Sequence, residues 1–303
     1  MVLTILSQLM SLFILIGVGF YIGKRRILDD HSMGQVSGLI NNILNPMLGL
    51  SSAIAGYHQA DHALWLQVFG FAVIMFLITI VISFLVAPRF ERRKGQRELY
   101  QTMVVFSNLG FIGIPIVRGC YGAEYAIYVL AFLMAYNLFF YTFGVTLIGG
   151  EFSLAAFRKI LNPGFLGGIL AVILFFFEIP LPAFLVQSIN YMGDLVSPLA
   201  MIAIGFTVAG SDVKRIFTNG KIYLFCLFRM ILLPLIFIPI LKLFPFDSTL
   251  VGISLIEIGM PIGSMNLIIG TEYHLDCSEV SAAIIMSTAM SVVTLPILLA
   301  LVG

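Results

Sequence analysis

The chain has 303 residues, of which 60% are hydrophobic and 10% charged, with a formal net charge of +1. An ordinary soluble domain carries about 25% charged and at most about 50% apolar residues, so a water-soluble fold is excluded. The small net charge hides a strong asymmetry in where the basic residues sit and gives no sign of a nucleic-acid partner.

Uncharged runs reach the roughly 17–25 residues that a membrane-spanning helix needs. In chain order they predict ten spans, near residues 2–23, 33–55, 63–87, 99–118, 125–149, 162–178, 187–210, 221–244, 248–270 and 279–301. The first is read as a retained helix: no basic residue precedes its apolar run, and no small-residue cleavage site follows. With the amino terminus outside, the inner loops carry thirteen of the 16 Lys and Arg residues: Lys24, Arg25, Arg26, Arg89, Arg92, Arg93, Lys94, Arg97, Arg158, Lys159, Lys214, Arg215 and Lys221. Arg118 and Lys242 fall outside and Arg229 lies within the eighth span, so the positive-inside bias predicts a multi-pass protein of the inner (plasma) membrane with both termini outside. The basic stretch at residues 88–98 is read as a topogenic loop near lipid headgroups.

The spans divide into two five-helix halves, residues 1–150 and 151–303. An odd number of crossings places tandem copies in opposite orientations. Three matches in the same order support the repeat. Gly113-Ile114-Pro115 and Gly259-Met260-Pro261 lie 146 residues apart, and Gly122-Ala123-Glu124-Tyr125 and Gly270-Thr271-Glu272-Tyr273 lie 148 apart. Pro46 and Pro198 lie 152 apart. The predicted fold is an all-α membrane protein with broken crossover helices at spans 4 and 9.

Proline within a helix removes one hydrogen bond and clashes with the preceding turn. At membrane depth the freed backbone groups survive only if buried in protein or facing a water-filled cavity, so paired breaks point to a binding site. Half-helix amino ends suit a carboxylate. These considerations select Asn108, Gly113, Pro115, Gly259 and Pro261 as substrate-binding candidates, with Arg229 either neutralising the substrate or snorkelling to the inner interface. Glu257 is an acid near the middle of span 9. It is the candidate for ion coupling, taking sodium with Ser107 and Asn108, or a proton. Asn41, Asn42 and Asn45 form a polar stripe on span 2, read as interhelical glue.

Cys120, Cys226 and Cys277 are odd in number and widely spaced, and are read as packing residues. His31, His58, His62 and His274 show no metal-binding spacing, so no metal site is expected beyond sodium at Glu257, and no cofactor beyond a coupling Na+ or H+. A phosphate-binding Gly-rich loop is absent, as is a nucleophile–base or paired-acid set, so neither an ATP-driven pump nor an enzyme is indicated.

At these residues the chain resembles the auxin efflux carrier family, which includes plant auxin carriers and bacterial malate or malonate permeases. Asn108, Gly113-Ile114-Pro115 and Tyr121-Gly122 resemble that family's crossover helix. Glu272-Tyr273-His274-Leu275, Ser287-Thr288-Ala289-Met290 and Leu295-Pro296-Ile297-Leu298 are similar to its final hairpin. Pro198 through Gly205 and Asn162-Pro163 resemble its seventh helix and the start of its sixth. The resemblance implies a scaffold of spans 1, 2, 6 and 7, a transport unit of spans 3–5 and 8–10, a homodimer and elevator-type motion, with Asn108, Pro115 and Pro261 at the substrate crossover. The short connection between the halves fits the bacterial type and argues against auxin itself. More distantly, Glu257 looks like the sodium sites of bile-acid symporters. The expected function is secondary transport of a small mono- or dicarboxylate in the lipid bilayer, coupled to protons or sodium. The alternative is a transporter-like sensor that binds an organic acid without coupled flux.

Overall fold

A computed structural model describes residues 2–57, 61–149, 162–210 and 219–301. Arg158, Lys159, Lys214 and Arg215, expected in inner loops, and His58 lie outside these residues. Within them the regular structure is helical, apart from one isolated antiparallel bridge between Ser107 and Ile262.

The helices are α1 (Val2–Lys24), α2 (residues 30–55), α3 (His62–Phe90), α4 (Gln96–Val105), α5 (Leu109–Tyr121), α6 (Ala123–Gly149), α7 (Pro163–Phe177), α8 (Ala183–Gly210), α9 (Gly220–Leu241), α10 (Ser248–Ile258), α11 (Met265–Glu272) and α12 (Ser278–Ala300). Six of them, α1, α3, α6, α8, α9 and α12, are long and apolar enough to cross a bilayer. Side-chain caps set several starts by accepting from otherwise unpaired N–H groups. Asp29 accepts from Ser32 at 2.8 Å, Asp61 from Ala63 at 2.6 Å, Asn162 from Phe165 at 3.0 Å and Asp247 from Leu250 at 2.8 Å.

Four helices widen into a single π-turn, at Ile40–Leu44, Leu109–Gly113, Phe140–Gly144 and Phe228–Leu232. Three of the four are followed two residues later by a proline: Pro46, Pro115 and Pro234. The proline ring cannot tolerate the preceding carbonyl in its regular α position, and a wider turn moves that carbonyl aside without ending the helix. Pro115, expected to unwind the fourth span, therefore sits in a continuous helix, and the break falls earlier, at Phe106–Asn108. In the ninth span the break covers residues 259–264 and does contain Pro261.

Packing separates the helices into two groups. α1 lies along α8, and α2 packs on α7 and α8, while α3 packs on α4 and α6, and α9 and α10 pack on α12. α1 and α8 run parallel, with Gly19 against Ile202 and Gly23 against Phe206 and Ala209. Small residues let the two backbones touch. At one end of the molecule Lys221, opening α9, bridges Glu91 (3.2 Å) and Glu279 (2.8 Å), and Tyr100 donates to Glu279 at 3.0 Å. The end of α3 and the starts of α4, α9 and α12 therefore share one face. Glu91 also accepts from Arg93 at 3.0 Å, and these partners hold its carboxyl well below the usual carboxylate range.

Candidate functional site

The two breaks meet. Asn108 N–H donates to Pro261 O at 2.8 Å and Gly263 N–H donates to Phe106 O at 3.1 Å, forming the antiparallel pair centred on Ser107 and Ile262. Asn266, in the first turn of α11, donates through Nδ2 to Phe106 O and to Gly263 O, both at 2.8 Å. Ser287 of α12 accepts from Ile262 N–H at 3.1 Å. Each unwound segment thus supplies the other's missing backbone partners, which is how non-helical backbone is sustained at this depth.

A cavity of about 280 Å³ opens beside this crossing. The first residues of α5 (Leu109, Gly110, Phe111) and the entry to α11 (Gly263, Ser264, Met265) form one wall. Asn41, Asn42 and Asn45 of α2, with Asn162 and Gly164 at the start of α7, form the facing wall. Tyr136, Asn137 and Tyr141 of α6 complete it, and no charged side chain is among the lining residues described. Three of the four π-turns, those of α2, α5 and α6, contribute lining residues. Such turns concentrate at functional sites.

The opening turn of α5 presents N–H groups without intrahelical acceptors, whereas at α11 the N–H groups of Asn266 and Leu267 donate to Gly263 O and Ser264 O at 3.2 and 3.0 Å; the dipoles of both helices add a partial positive charge. Asn108 strengthens this donor set: its side chain lines the cavity at 6% exposure and has no hydrogen-bond partner among the described residues. Ser107, at 5% exposure, lines the same cavity. The arrangement offers hydrogen-bond donors and a diffuse positive potential to an anion, with no fixed counter-charge.

The other residues selected from the sequence lie elsewhere. Pro115 borders a second cavity, of about 320 Å³, on the opposite side of the crossing, together with Gln8 of α1, Arg118 of α5 and Gly193, Asp194 and Ser197 of α8. There Arg118 pairs with Asp194 at 3.0 Å. Pro261 is buried within the bridge, and Gly259 packs against Leu295 and Leu298 of α12. Arg229 touches neither cavity and does not snorkel. It is buried in the π-turn of α9, and its Nη1 donates to Ile258 O at 2.8 Å, placing a cation on the carboxyl end of α10 where the helix dipole favours it. Glu257 is fully buried, is not a neighbour of Ser107 and Asn108 in any hydrogen bond described, and lies against Gly113 of α5.

The α2 asparagines, read from the sequence as glue between helices, instead line the cavity; among the described residues only Asn42 of the three donates a side-chain bond, to Gly38 O of its own helix at 2.9 Å. Asn137, Tyr136, Tyr141 and Asn266 are absent from the candidates that the sequence motifs provide. Isolated amides inside apolar runs were the available signal for Asn137 and Asn266, since an amide at membrane depth needs a partner or a cavity. Among the described residues no cluster of His, Cys, Asp or Glu has the makings of a metal site.

Known proteins give this geometry a context. An uncharacterised transporter of Methanocaldococcus jannaschii is 28% identical over 199 residues, an alignment covering 63% of this chain and 64% of that protein, under two thirds of its length. An uncharacterised transporter of Methanothermobacter thermautotrophicus is 24% identical over 298 residues, 96% of each chain. The profile of the family described as membrane transport protein matches residues 4–155 and 152–299, nearly the whole sequence. The chain therefore belongs to the membrane transport protein family, the auxin efflux carrier family whose crossover and final-hairpin motifs it carries.

Proposed function

We propose that the chain is a secondary carrier of a small organic anion, a mono- or dicarboxylate, working by elevator-type alternating access and driven by a proton or sodium gradient. The observation that carries this reading is the convergence of two half-helix amino ends and the unpartnered Asn108 amide on one uncharged cavity. Donors of this kind bind a carboxylate through backbone groups and release it readily, as a carrier must.

Ten crossings in two inverted halves, residues 1–150 and 151–303, account for the observed directions. If α4 with α5, and α10 with α11, each make one crossing, α1 and α8 are the first and seventh and run the same way, as their Gly19–Ile202 and Gly23–Ala209 contacts require. The same parity puts the end of α3 and the starts of α4, α9 and α12 on one face, where Lys221 joins Glu91 and Glu279. With the basic loops inside, both termini face outward in the plasma membrane, and the 280 Å³ cavity opens inward. The packing groups correspond to a scaffold (α1, α2, α7, α8) and a moving unit (α3–α6, α9–α12), and the cavity lies between them. A homodimer through the scaffold completes the proposal.

The test is thermal unfolding of the purified protein against a panel of small organic acids, followed by uptake into proteoliposomes. A ligand at a hundred times its dissociation constant raises stability by about 2.7 kcal/mol. Stabilisation by at least one acid in the wild type, reduced in Asn108→Ala and accompanied by counterflow of the same acid, is the expected result. Stabilisation without any flux would overturn the carrier reading.

A further inference from the structure

Resting on that carrier reading, the surroundings of Glu257 indicate which coupling ion it takes. The side chain is fully buried, and neither carboxyl oxygen has a hydrogen-bond partner among the described residues. A bare carboxylate in such a place is strongly disfavoured, so a compensating positive charge is required. The neighbouring elements do not supply one. On α9, Arg229 donates through Nη1 to Ile258 O and its Nε has no partner, yet no ion pair joins it to Glu257 among the described residues. On α5, Arg118 is paired with Asp194, and the Tyr121 hydroxyl lies against Gly252. α6 brings Tyr128 and Tyr136, and on α12 Glu279 is bound to Lys221 and Tyr100. None of these groups forms an ion pair or hydrogen bond with Glu257 among the described residues.

The charge must then come from outside, as a metal ion or a proton. A hard metal cation takes a shell of several oxygen ligands in a space of its own. Ser107 and Asn108, the expected co-ligands, line the cavity instead, and Glu257 borders neither cavity described above. The carboxyl is closed over by backbone: a Cβ on Gly113 would stand 2.5 and 2.8 Å from its two oxygens. A proton needs neither ligands nor room.

One element touches both sites. The π-turn Leu109–Gly113 has its first three residues in the cavity wall and its last residue on the carboxyl of Glu257. We infer that Glu257 carries the coupling proton and that this π-turn links its release to occupancy of the cavity. A solute carboxylate drawn onto the N–H groups of residues 109–111 displaces the turn, and Gly113 moves with it. Water then reaches the carboxyl, the O–H bond of the acid breaks, and the proton leaves as hydronium on the open side.

Two measurements on the full-length protein in proteoliposomes test this. In the infrared, the wild type at neutral pH is expected to show the carbonyl stretch of a protonated buried carboxyl. Glu257→Gln should abolish that band, and Gly113→Ala, which presses a methyl on the carboxyl, should displace it. A band that survives Glu257→Gln would overturn the proton assignment, and one unmoved by Gly113→Ala would overturn the link through the turn. In transport, radiolabelled malonate, malate and lactate serve as probes. Accumulation in the wild type should rise by up to about tenfold per unit of pH gradient for one proton, equally in sodium and potassium media. Glu257→Gln should lose the response to the pH gradient. Wild-type counterflow with accumulation that follows sodium would defeat this inference while leaving the carrier reading intact; infrared evidence for the acid without counterflow of any probe would defeat the carrier reading instead.

Discussion

The parallel contact of α1 and α8 leads to a quantitative test. A Cβ on Gly205 would overlap the carbonyl oxygen of Ile16 and stand 2.8 Å from Ile16 C and Phe20 N. A Cβ on Gly19 would overlap the carbonyl oxygen of Ile202 and stand 2.8 Å from its C and Cα. The obstructing atoms are all backbone, so no side-chain rotation relieves either clash. Non-bonded carbons settle at about 3.5–4.0 Å, so either alanine forces the helices apart by roughly 1 Å, a gap that forfeits up to about half the attraction of the neighbouring contacts. Overpacking of this kind costs about 1–3 kcal/mol, against about 1 kcal/mol gained from alanine's better helix propensity. A net loss of up to about 2 kcal/mol lowers the unfolding temperature by up to about 3 °C in a chain of this size. Because one separation relieves both clashes, the double variant Gly19→Ala, Gly205→Ala should cost clearly less than the sum of the singles. Gly17, which has nothing within 4 Å of a built Cβ, is the control, and Gly17→Ala should not destabilise. The assay is thermal unfolding in detergent followed by circular dichroism. Strict additivity, or Gly205→Ala behaving like Gly17→Ala, would refute the shared close approach.

Further outcomes follow from single interactions. Asn266→Leu removes two donated bonds at the crossing, each worth about 0.6–1.7 kcal/mol in a membrane protein, so thermal unfolding should show a loss of about 1–3 kcal/mol. Asn266→Asp should lose more, because it sets acceptors against Phe106 O and Gly263 O. Glu91, held well below the usual carboxylate range by Arg93 and Lys221, contributes stability that is complete above about pH 5 and drains away as the pH falls below about 4. Glu91→Gln should therefore be less stable than the wild type at neutral pH, and the two melting curves should converge in acid. Arg118→Gln breaks a partly exposed pair with Asp194 and should change thermal stability by under about 1 kcal/mol; a larger loss would mean that the pair is more deeply shielded than its exposure indicates.

The sequence by itself determined that this chain lives in a membrane and placed its helices. Span-length apolar runs with basic residues gathered in alternate loops leave little freedom, because an unpaired backbone cannot cross hydrocarbon. The predicted span at residues 63–87 and the observed His62–Phe90 differ only at the ends, as do 125–149 and Ala123–Gly149. The sequence also marked the fourth and ninth spans as interrupted, and singled out Asn108, which lies at the first of those breaks beside the cavity. What it could not tell was the result of each proline. Pro46 and Pro115 widen their helices into π-turns, whereas Pro261 lies in a true break, because only there does an opposing strand, Phe106–Asn108, supply the lost backbone partners. The same holds for Arg229, which the sequence left between two roles and the tertiary structure assigned to a third, on the end of α10. The asparagine wall was equally hidden: Asn41 and Asn45 on α2 and Asn137 on α6 are more than 90 residues apart in the chain and share a cavity only after folding. Local chemistry fixes which segments are helical and which are interrupted; which freed backbone group meets which partner is decided by pairings between the two halves of the chain.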